Sequence, residues 1–290
     1  MPAPPRELIE TYRGVVMPGE CDVMGHLTIG CYFDRFADAA FALIDRLAPA
    51  PAPPAAAWRS TSLFVRYTKE LREGDGLFIR SGVIGREGEE IRVGHEVVDA
   101  ATREITTRVE HTLAPRDLPY GALGEQRRVL GEATLPWESP GFEDIAPLTH
   151  PERMIESARD RVKAWEVDER GELALSGLVH RFGGGCLQLV SAIGITPDYI
   201  RRERRGFSTF ETRLHIEAAP PGAGDAVMLR TGILGIGNSS VRMLHELFMA
   251  KTGESLALFY QSGVHFDLEA RRSVPLTAEQ RKRAGELVIA

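Results

Sequence analysis

The chain has 290 residues, 43% of them hydrophobic and 26% charged, which is ordinary globular composition and excludes a wholly disordered protein. The length is a prior for two domains or one large one. A formal charge of −6 argues against a general nucleic-acid binder, and three cysteines, none in a CxxC pair, exclude a disulfide framework and a zinc site of the usual spacing. The opening run MPAPPRELIE lacks the apolar core of a secretory signal, and no stretch holds 18 apolar residues free of charge. The expectation is a protein of a reducing, cytoplasmic compartment with no metal site.

In chain order, a short strand at Tyr12–Met17 leads into the segment Gly19–Tyr32. Tyr32–Leu47 follows, with apolar residues at Phe33, Phe36, Ala37, Ala40, Ile44 and Leu47, a helical period. The stretch 48–57, APAPAPPAAA, is a low-complexity loop. Strands are expected at Ser62–Glu70, Leu77–Gly85, Ile91–Val98 and Glu104–Leu113, with a polar REGEE turn between the second and third. Residues 116–170, rich in Pro, Gly and charge, read as a surface connector with a short helix near Pro151–Trp165. Cys186–Ile195 is apolar nearly all round and reads as a second, more deeply buried helix. Strands follow at Ser208–Glu217, Val227–Gly235, Val241–Met249 and Ser255–Val264. Thr277–Leu287 opens with a Thr-x-x-Gln capping box and reads as a short surface helix.

The two sets of strands are copies of one another. At a constant offset of 150, residues 74–104 and 224–254 are identical at 11 of 31 positions, among them Gly74/Gly224, Asp75/Asp225, Arg92/Arg242, His95/His245 and Glu104/Glu254. Average residue usage gives about one or two by chance. One helix followed by antiparallel strands, twice, is an α+β pattern: a long sheet wrapped around a central helix. His95 and His245 share their strand faces with apolar residues and read as satisfied core histidines. Arg92/Glu96 and Arg242/Glu246 read as surface pairs of little energetic weight.

The chemistry concentrates in Gly19–Tyr32, GECDVMGHLTIGCY. A carboxylate just before a helix caps it, or does more. The N-terminus of a helix offers oriented N–H donors and a positive dipole end, so a carbonyl docked there is polarised and its developing oxyanion stabilised. A neighbouring Asp then attacks the carbonyl or activates a water. Spacing alone leaves capping and catalysis both open.

This segment resembles the active-site loop of the hot-dog-fold acyl-CoA thioesterases, specifically the 4-hydroxybenzoyl-CoA thioesterase family. The motif has an Asp, a Gly three residues on and a Tyr ten residues on, here Asp22, Gly25 and Tyr32. The form Asp22-x-x-Gly25-His26, with Phe36-x-Asp38-Ala39 on the helix, is also similar to the thioesterases of carnitine breakdown, which act on betainyl-CoA. The resemblance implies two tandem hot-dog domains, paired as an intrachain pseudo-dimer and open to further homodimerisation. The expected boundaries are 1–125 for a domain with the competent loop, 126–165 for the connector, 166–275 for a domain lacking the catalytic Asp, and 276–290 for the tail. It also implies hydrolysis of a small or medium acyl-CoA, with Asp22 as nucleophile or general base and the Ile29 N–H as oxyanion donor. Gly25 lets the loop turn beneath the thioester, His26 orients the carbonyl or the water, and Tyr32 lines the site. No cofactor is required, because CoA arrives with the substrate, and neither nucleic acid nor membrane is a partner.

In the second half the stretch LVHRFGGGCLQL reads as the equivalent loop, without Asp-x-x-Gly-His, so that one of the two sites has lost its chemistry. His180, Gly184 within the triple glycine, and Glu211 are its candidates for lining a pocket. Asp34 and Asp38 read as a solvent-facing helix stripe, with a base role as the alternative. The run Arg201-Arg202-Glu203-Arg204-Arg205 is solvated charge or a contact for CoA phosphates. Two other functions compete with hydrolysis: a hot-dog enoyl-CoA hydratase or dehydratase using Asp22 and His26, and a non-catalytic acyl-CoA-binding protein in which Asp22 only caps the helix.

Overall fold

The computed structural model describes residues 7–22, 24–47, 58–116, 133, 137 and 148–290. The low-complexity stretch 48–57 and most of the expected connector, up to residue 147, lie outside the described residues. The chain divides into two compact units, Met1–Gly141 and Phe142–Ala290.

The first unit has strands β1 (Ile9–Val15), β2 (Trp58–Tyr67), β3 (Gly76–Glu87), β4 (Glu90–Asp99) and β5 (Ile105–Pro115), and one helix, α1 (Ile29–Leu47). Its antiparallel sheet runs in the order β1-β3-β4-β5-β2. The periodicity of α1 puts Phe33, Phe36, Ala40, Leu43 and Ile44 on one face, all at most 3% exposed. Ala40, Leu43 and Ile44 of that face meet Val83, Ile91, Val93, Leu113 and Trp58 from the sheet, and the Phe36 ring stacks on His95 of β4. Truncating Phe36 to Ala there would cost about 3–5 kcal/mol, because the sheet cannot collapse into the space.

The second unit repeats this plan. Strands β6 (Ile155–Arg161), β7 (Arg205–Ile216), β8 (Ala226–Ile236), β9 (Ser240–Met249) and β10 (Ser255–Asp267) form a sheet in the order β6-β8-β9-β10-β7, with a two-residue β11 (Arg272–Ser273) paired to the end of β10. Its helices are α2 (Leu175–Ala192), α3 (Pro197–Glu203) and α4 (Ala278–Glu286). These are two hot-dog domains in tandem.

Four expectations need correction. The segment Pro151–Trp165 holds a single 3-10 turn, Pro151–Arg153, and then β6, so part of the expected connector is an edge strand of the second sheet. Its charged sequence IESARDR hides the alternation that marks a strand, as suits an edge open to water. The second helix starts at Leu175 rather than Cys186, because its glycines belong to the helix. Added Cβ atoms at Gly177 and Gly185 would lie 2.8 Å from Leu173 and 3.0 Å from Leu229, so these two glycines let the backbone approach its neighbours. The C-terminal helix α4 has the expected capping box between Thr277 and Gln280, but it is anchored rather than superficial. Ala284 and Ile289 are fully buried, and the segment after the helix pairs with the sheet at Ile233, whose N donates to Leu287 O and whose O accepts from Ile289 N. Finally, Glu96 is 2% exposed and pairs with Arg80 at 2.6 Å, while Arg92 pairs with Glu110 at 2.9 Å.

His95 and His245 are both fully buried beneath the helices. Ser81 Oγ lies 2.6 Å from His95 Nδ1, His111 Nδ1 lies 3.4 Å from His95 Nε2, and Ser60 Oγ lies 2.8 Å from His111 Nε2. Thr11 and Ser81 extend this chain to β1 at 2.6 Å. In the second unit Thr231 bonds His245, and Gln261 stands where His111 stands in the first, bonding Thr209 at 2.6 Å. Burial of polar rings without partners is costly; in the first unit hydroxyl and imidazole partners offset that cost, whereas in the second Thr231 serves His245 Nδ1 and the buried His245 Nε2 finds no partner among the described residues.

Candidate active site

The site begins where β1 leaves the sheet. Pro18–Glu20 form a 3-10 turn, and the chain then doubles back on itself. Asp22 N donates to His26 O at 2.8 Å, Gly25 N donates to Asp22 O at 2.9 Å, and Gly25 takes φ +76, which favours glycine. The Asp22 carboxylate closes the turn from inside, with Oδ1 accepting from Met24 N at 2.8 Å and His26 N at 3.0 Å. Among the described residues its other oxygen has no hydrogen-bond partner. Leu27 N donates to Leu71 O, and His26 forms a β-bridge with Arg72, so the loop leans on the chain beyond β2.

The loop is tied to α1 by Arg35. Its guanidinium reaches both Glu20 oxygens, at 2.8 and 2.9 Å, and the Cys31 carbonyl at 2.9 Å. Burial alone would raise the Glu20 carboxyl, but the Arg35 hydrogen bond and the Met17 amide outweigh it and hold Glu20 below the usual range. Thr28 N donates to Glu20 O, which delivers the chain to the start of the helix. Thr28 O accepts from the Cys31 and Tyr32 amides. The Ile29 and Gly30 amides find no acceptor among the described residues, as expected for the first turn of a helix.

Asp22, Gly25, His26 and Ile29 are thus brought together in one loop. Tyr32 goes elsewhere: it is 3% exposed, its ring meets Tyr67 edge-on at 5.3 Å, and its hydroxyl lies beside the Leu71 main chain, where burial pushes its pKa well up. His26 is buried at 6% exposure. Asp34 and Asp38 are exposed on α1, and the Asp38 carboxyl is raised by partial burial and by the like charge of Asp34. Of the second-half candidates, His180 and Gly184 share the exposed side of α2, whereas Glu211 sits on β7 with Arg213 at 3.4 Å.

The second half does possess the loop, four residues out of step with the strand repeat. At an offset of 146, Glu20, Asp22, Gly25, Leu27, Arg35 and Phe36 recur as Glu166, Asp168, Gly171, Leu173, Arg181 and Phe182. The hydrogen bonds recur with them. Asp168 N donates to Glu172 O and Gly171 N to Asp168 O, Asp168 Oδ1 accepts from Arg170 N and Glu172 N, and Arg181 bonds both Glu166 oxygens. The expectation of a second domain without the Asp is therefore corrected. LVHRFGGGCLQL is helix, and the true loop carries Asp168 with Glu172 in place of His26. The signal was present in the sequence, but the extra residues between the helix and the Gly-Asp turn shift it out of the 150-residue register.

Among the described residues, no cluster of His, Cys, Asp and Glu would hold a metal ion, and no single helix is long and apolar enough to cross a bilayer.

The fold and the loop define a class, tandem hot-dog proteins, and the comparisons bear on it directly. The model of the thioesterase-like superfamily matches residues 16–122 and 162–283, one segment in each half. The chain belongs to the thioesterase-like superfamily. Similar solved structures include one described as an oleoyl thioesterase from Lactobacillus plantarum, at 13% identity and a TM-score of 0.63, covering 89% of this chain and 96% of that one. An acyl-ACP thioesterase from Bacteroides thetaiotaomicron aligns at 12% identity and a TM-score of 0.60, over 87% and 96% of the two chains. A hot-dog protein of unknown function from Alicyclobacillus acidocaldarius aligns at 14% identity and a TM-score of 0.52, over 87% and 92%. At these identities the likeness establishes the fold alone. No curated protein sequence matches the chain.

Proposed function

We propose that the protein hydrolyses an acyl-CoA thioester at the Asp22 loop, releasing the free acid and CoA. Family and fold support thioester hydrolysis in general; the choice of CoA and of residues is carried by the loop. The observation that carries it is the division of labour within one carboxylate. Asp22 Oδ1 is fixed by two amides, and the other oxygen has no partner among the described residues, just ahead of a helix whose first two amides also lack acceptors. A thioester carbonyl directed at the Ile29 and Gly30 amides would have its developing negative charge stabilised there. The second Asp22 oxygen then takes a proton from an attacking water, or attacks the carbonyl itself. His26, whose amide donates to Asp22 Oδ1, is the residue we assign to orient the water or the carbonyl. No metal or organic cofactor enters these steps.

One observation favours a second reading, in which Asp22 only shapes the loop. Asp168 makes the same two backbone hydrogen bonds in the other half. The two readings separate in Asp22→Asn, because the Asn carbonyl oxygen still accepts both amides and the loop keeps its form. CoA release from a panel of acetyl, benzoyl, medium-chain, hydroxyacyl and betainyl esters is the assay. Loss of at least about 100-fold in turnover, with substrate binding retained, supports the proposal. Full hydrolysis by Asp22→Asn would sink it. Wild-type binding of the esters without any CoA release would favour the acyl-CoA-binding or hydratase readings.

A further inference from the structure

We propose that Arg72 is a specificity residue of the Asp22 site and selects acyl groups that end in a carboxylate, so that the favoured substrate is the monothioester of a short dicarboxylic acid. This rests on the reading that the Asp22 loop hydrolyses thioesters. The second unit serves as a built-in control.

In both units the Asp loop leans on the Gly-Asp turn, and the backbone contacts there are duplicated. Leu27 N donates to Leu71 O at 2.8 Å, as Leu173 N does to Pro221 O at 2.8 Å. Arg72 N donates to Asp75 Oδ2 at 2.8 Å, as Gly222 N does to Asp225 Oδ2 at 2.9 Å. His26 forms a β-bridge with Arg72, and Glu172 forms one with Gly222. The turn closes as well with glycine as with arginine, so the Arg72 side chain is not needed to build it. What differs is the pair of side chains across the bridge: His26 and Arg72 in the first unit, Glu172 and no side chain in the second. A Cβ on Gly222 would lie 3.3 Å from Gly171 O, so the second loop crowds a position where the first holds a long cation.

Residues directly opposite across an antiparallel bridge carry their side chains on one face, with Cβ atoms about 5 Å apart. Arg72 therefore stands within reach of His26, which is buried while Arg72 is exposed. Its guanidinium makes no ion pair or hydrogen bond among the described residues, and Asp75 binds the Arg72 amide instead. A planar double donor is thus left open to an oxyanion beside the loop.

The oxyanion follows from distance and from water. The phosphates of CoA are separated from the thioester by the whole pantetheine arm, whereas a short acyl chain ends close to the carbonyl. A carboxylate at that end is costly to bury in an apolar pocket, and an exposed guanidinium pairs with it while it keeps part of its water. The same charge disfavours a cationic acyl group such as betainyl. Glu172, at the His26 position of the second unit, gives that loop the opposite sign and repels a carboxylate.

The test pairs esters that differ only at the far end: glutaryl-CoA against pentanoyl-CoA, and adipyl-CoA against hexanoyl-CoA. The variants of the full-length protein are Arg72→Met, which keeps the apolar stem and removes the charge, Arg72→Lys, which keeps the charge without the planar fork, and Arg72→Gly, which copies the second unit. The wild type should favour a dicarboxylic ester over its uncharged partner by at least about tenfold in kcat/KM. Arg72→Met and Arg72→Gly should abolish that preference, mainly through KM, and Arg72→Lys should keep part of it. No preference in the wild type, a preference that survives Arg72→Met, or an equal loss with both members of a pair would each overturn the proposal; the last would assign Arg72 to CoA rather than to the acyl end. Titration of Asp22→Asn with the same esters, with and without Arg72→Met, reads binding apart from chemistry. Tighter binding of the dicarboxylic ester that Arg72→Met removes supports the subsite even if the wild type hydrolyses neither ester, and no such difference rejects it.

Discussion

Arg35 and Glu20 join the Asp22 loop to the helix that follows it: one guanidinium nitrogen lies 2.8 and 2.9 Å from the two carboxylate oxygens. The Arg35 side chain is 6% exposed and that of Glu20 29%, so the pair is neither a surface contact nor wholly dry. Replacing Arg35 by Met leaves Glu20 facing a low-dielectric wall without its partner. The expected loss is about 2–3 kcal/mol, somewhat below the range for fully buried pairs because Glu20 retains some water. Urea denaturation of Arg35→Met against Arg35→Met/Glu20→Gln checks this; the double variant should recover part of the loss.

The recurrence of the loop makes a sharper comparison than any single substitution. Asp22→Asn and Asp168→Asn both keep a side-chain oxygen for the two amides, so both proteins should melt within a few degrees of the wild type. Only Asp22→Asn should lose CoA release. If Asp168→Asn lost as much turnover as Asp22→Asn, the assignment of chemistry to the first loop would fail.

Acid should unfold the protein through its core histidines. Burial lowers the pKa of His111 and His245 to about 3, and that of His95, through burial and the neighbouring His111, well below its ordinary value. Between about pH 6.5 and those values the unfolded chain binds protons that the native chain refuses. Stability is therefore full above about pH 6.5 and falls as pH drops, by about 1.4 kcal/mol per pH unit for each histidine. His111→Gln copies Gln261 of the other unit and should leave stability near pH 8 within about 1 kcal/mol while flattening the acid side. Thermal melts across pH for both proteins give the answer.

Gly183 and Gly184 offer a test of the exposed side of α2. An added Cβ meets nothing within 4 Å at either position, so alanine gains helix propensity without a clash. Each change should stabilise by about 0.5–1 kcal/mol. If turnover is unchanged in the stabilised double variant, substrate does not press on this side of the helix; if it drops, Gly184 lines the path as the sequence reading expected.

What the sequence reveals and what it hides have separate physical causes. The strands from Leu77 to Val98 and from Val227 to Met249 are legible because alternation and a constant 150-residue spacing reinforce each other. The Asp22 loop is legible because Asp, Gly and His stand at short fixed distances ahead of a periodic helix. Its partner at Asp168 is hidden, because extra residues ahead of β8 break the register and Glu172 replaces the histidine that draws the eye. The start of α2 is hidden because five of its first eleven residues are glycine or serine, which propensity assigns to loops while packing against Leu173 and Leu229 makes them helical. The partners of Glu96 and Arg92 depend on cross-strand neighbours, which proximity along the chain does not show.

The 146- and 150-residue offsets coexist because the length change falls after the helix, part of it before β7 and part between β7 and the Gly-Asp turn, as the pairing of Tyr67 with Thr107 and of Ile216 with Ala257 shows. Everything from Glu20 to Phe36 therefore has a homologous cassette, Glu166 to Phe182, of the same length and with the same internal bonds. Transplanting one cassette onto the other half's strands would alter no strand register. The duplication thus supplies a ready graft, through which the two loops, and the residues that distinguish them, can be exchanged within a single chain.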